Sequence, residues 1–227
     1  MTTADAVSPS PSALRLVLAA ERLFALHGID GVSLRQIATE AGSANNSAVH
    51  YHFGSKKGLI EAIFRHRLPQ LISERRLLAA RCEPNDLRSR LEAHYFPLFI
   101  FADDTDNHYA SFIEQPQRHE AGHFLTELPE EGRNSNEEFH RDLQQLLTHL
   151  EEPLLTLRIA DAQRLCLHVA ADREHALAIG ADVPPFELFV ASFLDGITGF
   201  LSTPASGETV RASSGRRDRQ ADRLHLL

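Results

Sequence analysis

The chain has 227 residues, of which 43% are hydrophobic, a formal net charge of −8, and two cysteines. That is enough apolar material for one large domain, or for a small domain joined to a medium one. The composition excludes three classes: no apolar run approaches the length of a membrane span, MTTADAVSPSPSA lacks the basic start and apolar stretch of a secretory signal, and Cys82 with Cys166 is too few for a disulfide framework. A cytoplasmic protein without membrane contact, and with both thiols buried, is expected.

Charge is unevenly spread. Residues 12–68 carry seven basic groups (Arg15, Arg22, Arg35, Lys56, Lys57, Arg65 and Arg67) against four acidic ones, Glu21, Asp30, Glu40 and Glu61. The remainder is strongly acidic, and Lys56 and Lys57 are the only lysines of the chain. A small anion-binding module on an acidic body has this distribution.

Residues 1–11 are polar and proline-spaced and read as disordered. Ser12 is placed to cap a first helix over 13–27, stopped by Gly28. Ser33-Leu-Arg-Gln36 has the spacing of a capping box, opening a short helix whose stripe is Leu34, Ile37, Ala38 and Ala41. After Gly42 a Ser-Ala-Asn-Asn turn leads to a third short helix at about 46–52. Ser55 caps a fourth, with Leu59, Ile60, Ile63 and Phe64 as its inner face and Pro69 as a possible kink site. Further helices are expected near 85–102, 107–120, 135–150, 153–176 and 184–202, with breaks at Asp103-Asp104, 129–132, Pro153 and Pro184-Pro185. From Thr203 onward the chain turns Ser-, Gly- and Arg-rich and reads as a flexible tail. No period-2 segment suggests a strand. The expected fold is all-α, with a helix-turn-helix domain over 12–54, a larger helical domain over 55–203, and a tail over 204–227.

Two short helices joined by a tight turn and packed on a longer one describe a helix-turn-helix unit. A helix that enters the major groove must be slender outside, and Asn46, Ser47, Ala48 and His50 meet that need, with Val49 and Phe53 as inner anchors. Tyr51 and His52 carry polar tips suited to phosphate oxygens. Lys56 and Lys57 open a helix where charge and dipole repel each other, an arrangement that makes sense opposite a phosphate.

These residues also carry a resemblance. The stretch LVLAAERLFALHGIDGVSLRQIATEAG and then NNSAVHYHFGSKKGLIEAI resembles the N-terminal domain of the TetR family of bacterial transcriptional regulators, over about residues 14–64. The A-x-x-L-F-x-x-x-G, G-V-S-L-R-Q-I-A-x-x-A-G and Y-H-F-x-S-K patterns occur in order. The sequence departs from the commonest family pattern in a turn one residue longer at 43–47, and in His50 where tyrosine is frequent. The resemblance implies a homodimeric, ligand-responsive regulator, here read as a repressor released from a near-palindromic double-stranded operator by a partly hydrophobic effector. The set expected to face DNA is Ser33, Arg35, Asn45, Asn46, Ser47, Ala48, His50, Tyr51, His52, Lys56 and Lys57. Tyr95, Phe99, Phe112 and His168 are expected to line the effector site. The last two long helices are expected to form the dimer seam, through Phe186, Phe189, Val190, Phe193, Leu194, Ile197 and Phe200, with Ala191, Ser192, Gly196 and Gly199 interleaved to allow close approach.

One motif points elsewhere. His119-Glu120-Ala-Gly-His123 has the spacing that aims two imidazoles at one zinc, with glutamate as base. The competing reading is therefore a zinc-dependent hydrolase. Thr126 and Pro129 stand where the extended motif has glycine and a third histidine, and the preceding residues 114–118 are polar. The chain carries thirteen histidines, so the pattern arises readily by chance. The preferred reading is non-enzymatic, with no metal and no cofactor.

Overall fold

The computed structural model describes residues 10–43, 47–83, 85–119 and 128–213, with the side chains of 115–119 left aside. The helices are α1 (Pro11–His27), α2 (Leu34–Glu40), α3 (Ala48–Phe53), α4 (Lys56–Ala79), α5 (Leu87–Asp103), α6 (Tyr109–His119), α7 (Glu130–Leu146), α8 (Leu154–Ala178) and α9 (Phe186–Ser202). A short α10 follows over Gly207–Ser213. There is no strand among the described residues, and the fold is all-α as expected.

Local chemistry accounts for most helix ends. The capping box at α2 is complete: the Ser33 hydroxyl accepts from Gln36 N–H, and the Gln36 side-chain oxygen accepts from Ser33 N–H at 2.8 Å. Ser55 caps α4 by accepting from Gly58 N–H. At α1 the cap is Ser10, not Ser12, because Pro11 occupies the first helical position, where its missing N–H costs nothing. α4 runs 24 residues straight through Pro69. Pro129 and Gly132, read from the sequence as a break, instead open α7: Pro129 is its N-cap, and Gly132 is buried where an added Cβ would lie 3.2 Å from a Leu68 methyl. The tail expectation needs a correction too, since 207–213 is helical.

One continuous core joins the two halves. Phe24 of α1, Phe64 of α4, and Tyr109 and Phe112 of α6 are fully buried and touch ring to ring, with centroids 5.6–6.3 Å apart. Around α2 and α3 the core is small and aliphatic: Val32, Ile37, Ala38, Val49, Leu59 and Ile63. α4 thus packs its first half against α1 and α3 and its second against α5.

Candidate nucleic-acid interface

α3 is six residues long and is held by a single fully buried side chain, Val49. Its other side faces solvent: Ser47, His50 and Tyr51 are exposed, and Tyr51 is 84% accessible, unusual for a large ring. Ser33, Arg35 and Lys57 are exposed on the adjoining elements. Asn45 and Asn46 lie outside the described residues.

Several residues expected to meet DNA are instead engaged within the protein. The Lys56 ammonium donates to the Ile29 carbonyl at 2.8 Å and so ties the start of α4 to the α1–α2 turn. Lys57 has no partner among the described residues and is the ammonium available to a phosphate. Ser33 spends its hydroxyl inside the capping box. His52 is part-buried, with Nε2 3.4 Å from the Ser12 hydroxyl, and His50 Nδ1 lies 3.0 Å from the Gly54 carbonyl that ends α3. The Arg22–Glu40 pair at 2.7 Å clamps α1 to α2. Sequence reasoning also missed Gly58. A Cβ there would fall 2.1 Å from the Phe53 carbonyl oxygen, so only glycine lets α3 and α4 meet at this angle.

Two buried carboxylates meet at the start of α6, and Glu21 joins this unit to the larger domain there. Glu21 of α1 binds Arg67 of α4 through two short bonds, and its Oε1 also accepts from His108 N–H. Glu174 of α8 accepts from the Ala110 and Ser111 N–H groups at 3.0 and 3.1 Å. Both therefore grip the opening of α6, where unpaired N–H groups and the positive dipole end favour a carboxylate. Burial nevertheless pushes the Glu174 pKa up, to about 7, against the pull of those hydrogen bonds.

The residues expected to line an effector site do not form one group. Tyr95 and Phe99 of α5 are buried against α9, with Phe193 touching both rings, whereas Phe112 belongs to the aromatic junction beside α1. His168 is a correction: it lies on the outer side of α8, about half exposed, with Nδ1 2.8 Å from Glu114 and Nε2 3.4 Å from Asp172. The seam expected on α9 also needs revision. Val190, Leu194 and Ile197 are buried within this chain, and Phe186, Phe189 and Phe193 pack part-buried on α5. Only Phe200 of that set is exposed. The outward side of α9 is made of Leu188, Ala191, Ser192, Gly196 and Gly199, with Asp195 among them paired to Arg88 at 3.2 Å, and α8 leaves Leu157 and Leu165 exposed. The His119, Glu120 and His123 side chains lie outside the described residues.

Comparison with known proteins agrees with this geometry. Residues 16–63 match the family model described as bacterial regulatory proteins, tetR family. The chain is 32% identical over 81 residues to the HTH-type transcriptional repressor AcnR of Corynebacterium glutamicum, covering 34% of this chain and 43% of AcnR. It is 44% identical over 68 residues to the HTH-type transcriptional regulator BetI of Burkholderia cenocepacia, covering 29% and 33%. The chain thus spans less than half the length of these curated relatives. The fold resemblance reaches further: the fatty acid degradation regulator FadR from Bacillus halodurans superposes with a TM-score of 0.57 at 17% identity, over 85% of this chain and 97% of FadR. Residues 16–63 are thus a DNA-binding domain of the tetR-family type in sequence, and the chain as a whole has the fold of FadR.

Proposed function

We propose that the protein is a ligand-responsive, DNA-binding transcriptional regulator acting as a repressor on a near-palindromic operator. The observation that carries this reading is the exposed face of α3: Tyr51 stands 84% accessible on a slender helix, next to the free ammonium of Lys57. An exposed aromatic of this size has no packing role, whereas a phenol tip at the groove edge reaches phosphate oxygen. Arg35, Ser47, Ala48 and His50 complete the face presented to the duplex.

One α3 reads too few base pairs for specificity, so the reading includes a homodimer that sets two copies about one turn of DNA apart. The outward small-residue side of α9, with α8, forms the seam. A partly hydrophobic effector held in the helical body shifts the population towards a spacing that no longer fits the operator. The grip of Glu21 on Arg67 and on the start of α6, which Glu174 anchors to α8, is the mechanical link between the body and the DNA-binding unit. Neither the fold nor the comparisons favour the hydrolase reading.

The test is the salt dependence of binding to a mixed-sequence 30-base-pair duplex, read by fluorescence anisotropy. Lys57→Met and Tyr51→Ala weaken binding, and Lys57→Met lowers the log–log salt slope by about 1 per protomer. Lys56→Met leaves that slope unchanged and costs stability instead, about 1.5–3 kcal/mol for a lost charged hydrogen bond. An unchanged slope for Lys57→Met removes the proposed DNA face.

A further inference from the structure

Two arginines of the helical body, Arg67 and Arg173, are buried against carboxylates. Arg67 holds Glu21, and Arg173 holds Asp103 through two bonds of 2.8 and 2.6 Å while its guanidinium sits over the Phe186 and Phe189 rings. Arg75 of α4 differs. Its Nε donates to the His94 backbone carbonyl at 2.9 Å, and one Nη reaches the Asn136 amide oxygen at 3.5 Å. Both acceptors are neutral, and among the described residues no carboxylate pairs with it. A guanidinium stays charged even when burial works against it, as burial does here. A part-buried cation with no anion beside it is costly and is rarely kept for stability alone.

The surroundings repeat the pattern. Tyr95 of α5 is 2% exposed, yet its hydroxyl is buried without a hydrogen-bond partner. Tyr95, Tyr109 of α6 and Cys166 of α8 each lie within electrostatic reach of Arg75, so polar groups from α5, α6 and α8 converge on this residue of α4. Its neighbours are apolar: the His94 ring stacks on Phe139 of α7 at 3.7 Å and 4°, and Tyr95 meets Phe139 and Phe193 edge-on. Burial and the nearby Arg75 charge keep His94 neutral, with its pKa well below the ordinary histidine value. A buried phenol donor beside an unpaired guanidinium matches a carboxylate, which accepts from both, while aromatic walls suit the carbon skeleton behind it. Arg75 itself is only part-buried, which leaves an approach to it.

We infer that the effector is an organic carboxylate, whose anionic group pairs with Arg75 and accepts from the Tyr95 hydroxyl, with its apolar part against His94 and Phe139. This rests on the regulator reading above for the word effector, but the site stands on its own geometry.

The test uses the full chain and three carboxylates of increasing size (acetate, benzoate and decanoate), each against a neutral counterpart: acetamide, benzamide and decanol. Binding is read from the thermal unfolding midpoint and, separately, from release of the 30-base-pair duplex. At least one carboxylate is expected to raise the wild-type midpoint, with its neutral counterpart at least tenfold weaker. Arg75→Met is expected to abolish that response while melting no lower than the unliganded wild type, and Tyr95→Phe to weaken it several-fold. The inference is overturned if none of the three carboxylates moves the wild-type midpoint, if the neutral partner binds equally well, or if a folded Arg75→Met keeps its affinity. Should Arg75→Met fail to fold, the wild-type pairs and Tyr95→Phe decide, an unchanged Tyr95→Phe response counting against it. Duplex binding without any carboxylate response leaves the regulator reading intact and removes this site; carboxylate binding without duplex binding does the reverse.

Discussion

Glu21 and Arg67 meet in a two-pronged ion pair, Nη2 to Oε1 at 2.6 Å and Nε to Oε2 at 2.8 Å, although the Glu21 side chain is only 1% exposed. The pair joins α1 to α4, and the same carboxylate holds His108 N–H at the approach to α6. Removing either partner strands a buried charge. Glu21→Leu or Arg67→Met alone is therefore expected to cost about 3–5 kcal/mol. The double variant should recover much of that loss, because no buried charge is then left unpaired. Denaturant unfolding of the two single variants and the double variant measures this as a cycle. A double variant no more stable than the worse single would show that the pair does not act as a unit.

Glu174 gives stability a pH dependence of definite sign. Its carboxyl is raised to about 7 in the folded chain by burial, whereas an unfolded glutamate titrates near its ordinary value of about 4.5. Between those values the folded state binds the extra proton. Its contribution is fully present below the lower value and is lost as pH rises through about 7. Relative to Glu174→Gln, which cannot ionise, the wild type should therefore lose thermal stability between pH 5 and pH 7.5 and change little above that. A midpoint difference independent of pH would mean that Glu174 stays ionised throughout, held by the two N–H groups of α6.

Gly58 sits where α4 begins, and the Phe53 carbonyl would be 2.1 Å from any added Cβ. Backbone cannot give way as a flexible side chain can. Gly58→Ala is expected to destabilise the chain by about 1–3 kcal/mol, as overpacking generally does. It should weaken duplex binding beyond what the lost stability explains, because the strain falls on the end of α3. Anisotropy at a temperature well below the unfolding transition separates the two effects. Unaltered affinity in a folded Gly58→Ala protein would mean that the α3–α4 angle is irrelevant to DNA.

Local signals in the sequence are legible except where a proline shifts a helix start, as at Pro11 and Pro129, and the tertiary ones are not. The Ser33–Gln36 box, the Ser55 cap, and the Val49 anchor depend on neighbours a few residues away, and spacing reveals them. Lys56 depends on the Ile29 carbonyl, 27 residues distant, so one lysine of the doublet is an internal tie and only Lys57 is left exposed. Glu21, Arg75 and Glu174 were invisible because a charged residue in an amphipathic pattern reads as surface. On α9 the spacing shows the apolar stripe but not which side of the helix faces the rest of the chain. Aromatic and small residues occupy opposite sides of one apolar helix, and only the packing of Phe186, Phe189 and Phe193 on α5 decides which side is left outward.

That direction separates two kinds of variant on one helix. Gly199 and Gly196 have nothing within 4 Å of an added Cβ, and Leu188 is 60% exposed, whereas Ile197 is 1% exposed in its own protomer. If the outward side of α9 is the dimer seam, Gly199→Arg or Leu188→Arg places a charge between two close-packed helices without disturbing the fold of either chain. Sedimentation equilibrium is then expected to find folded monomers, with helicity by circular dichroism unchanged. Ile197→Arg instead buries a charge inside the protomer and should lower helicity and the unfolding midpoint together. A Gly199→Arg protein that sediments as a dimer with wild-type affinity would rule out the small-residue side as the seam. The monomeric variant should also lose most of its operator affinity while keeping the exposed face of α3 intact, because two α3 helices on a twofold axis bind as one unit and a single one does not.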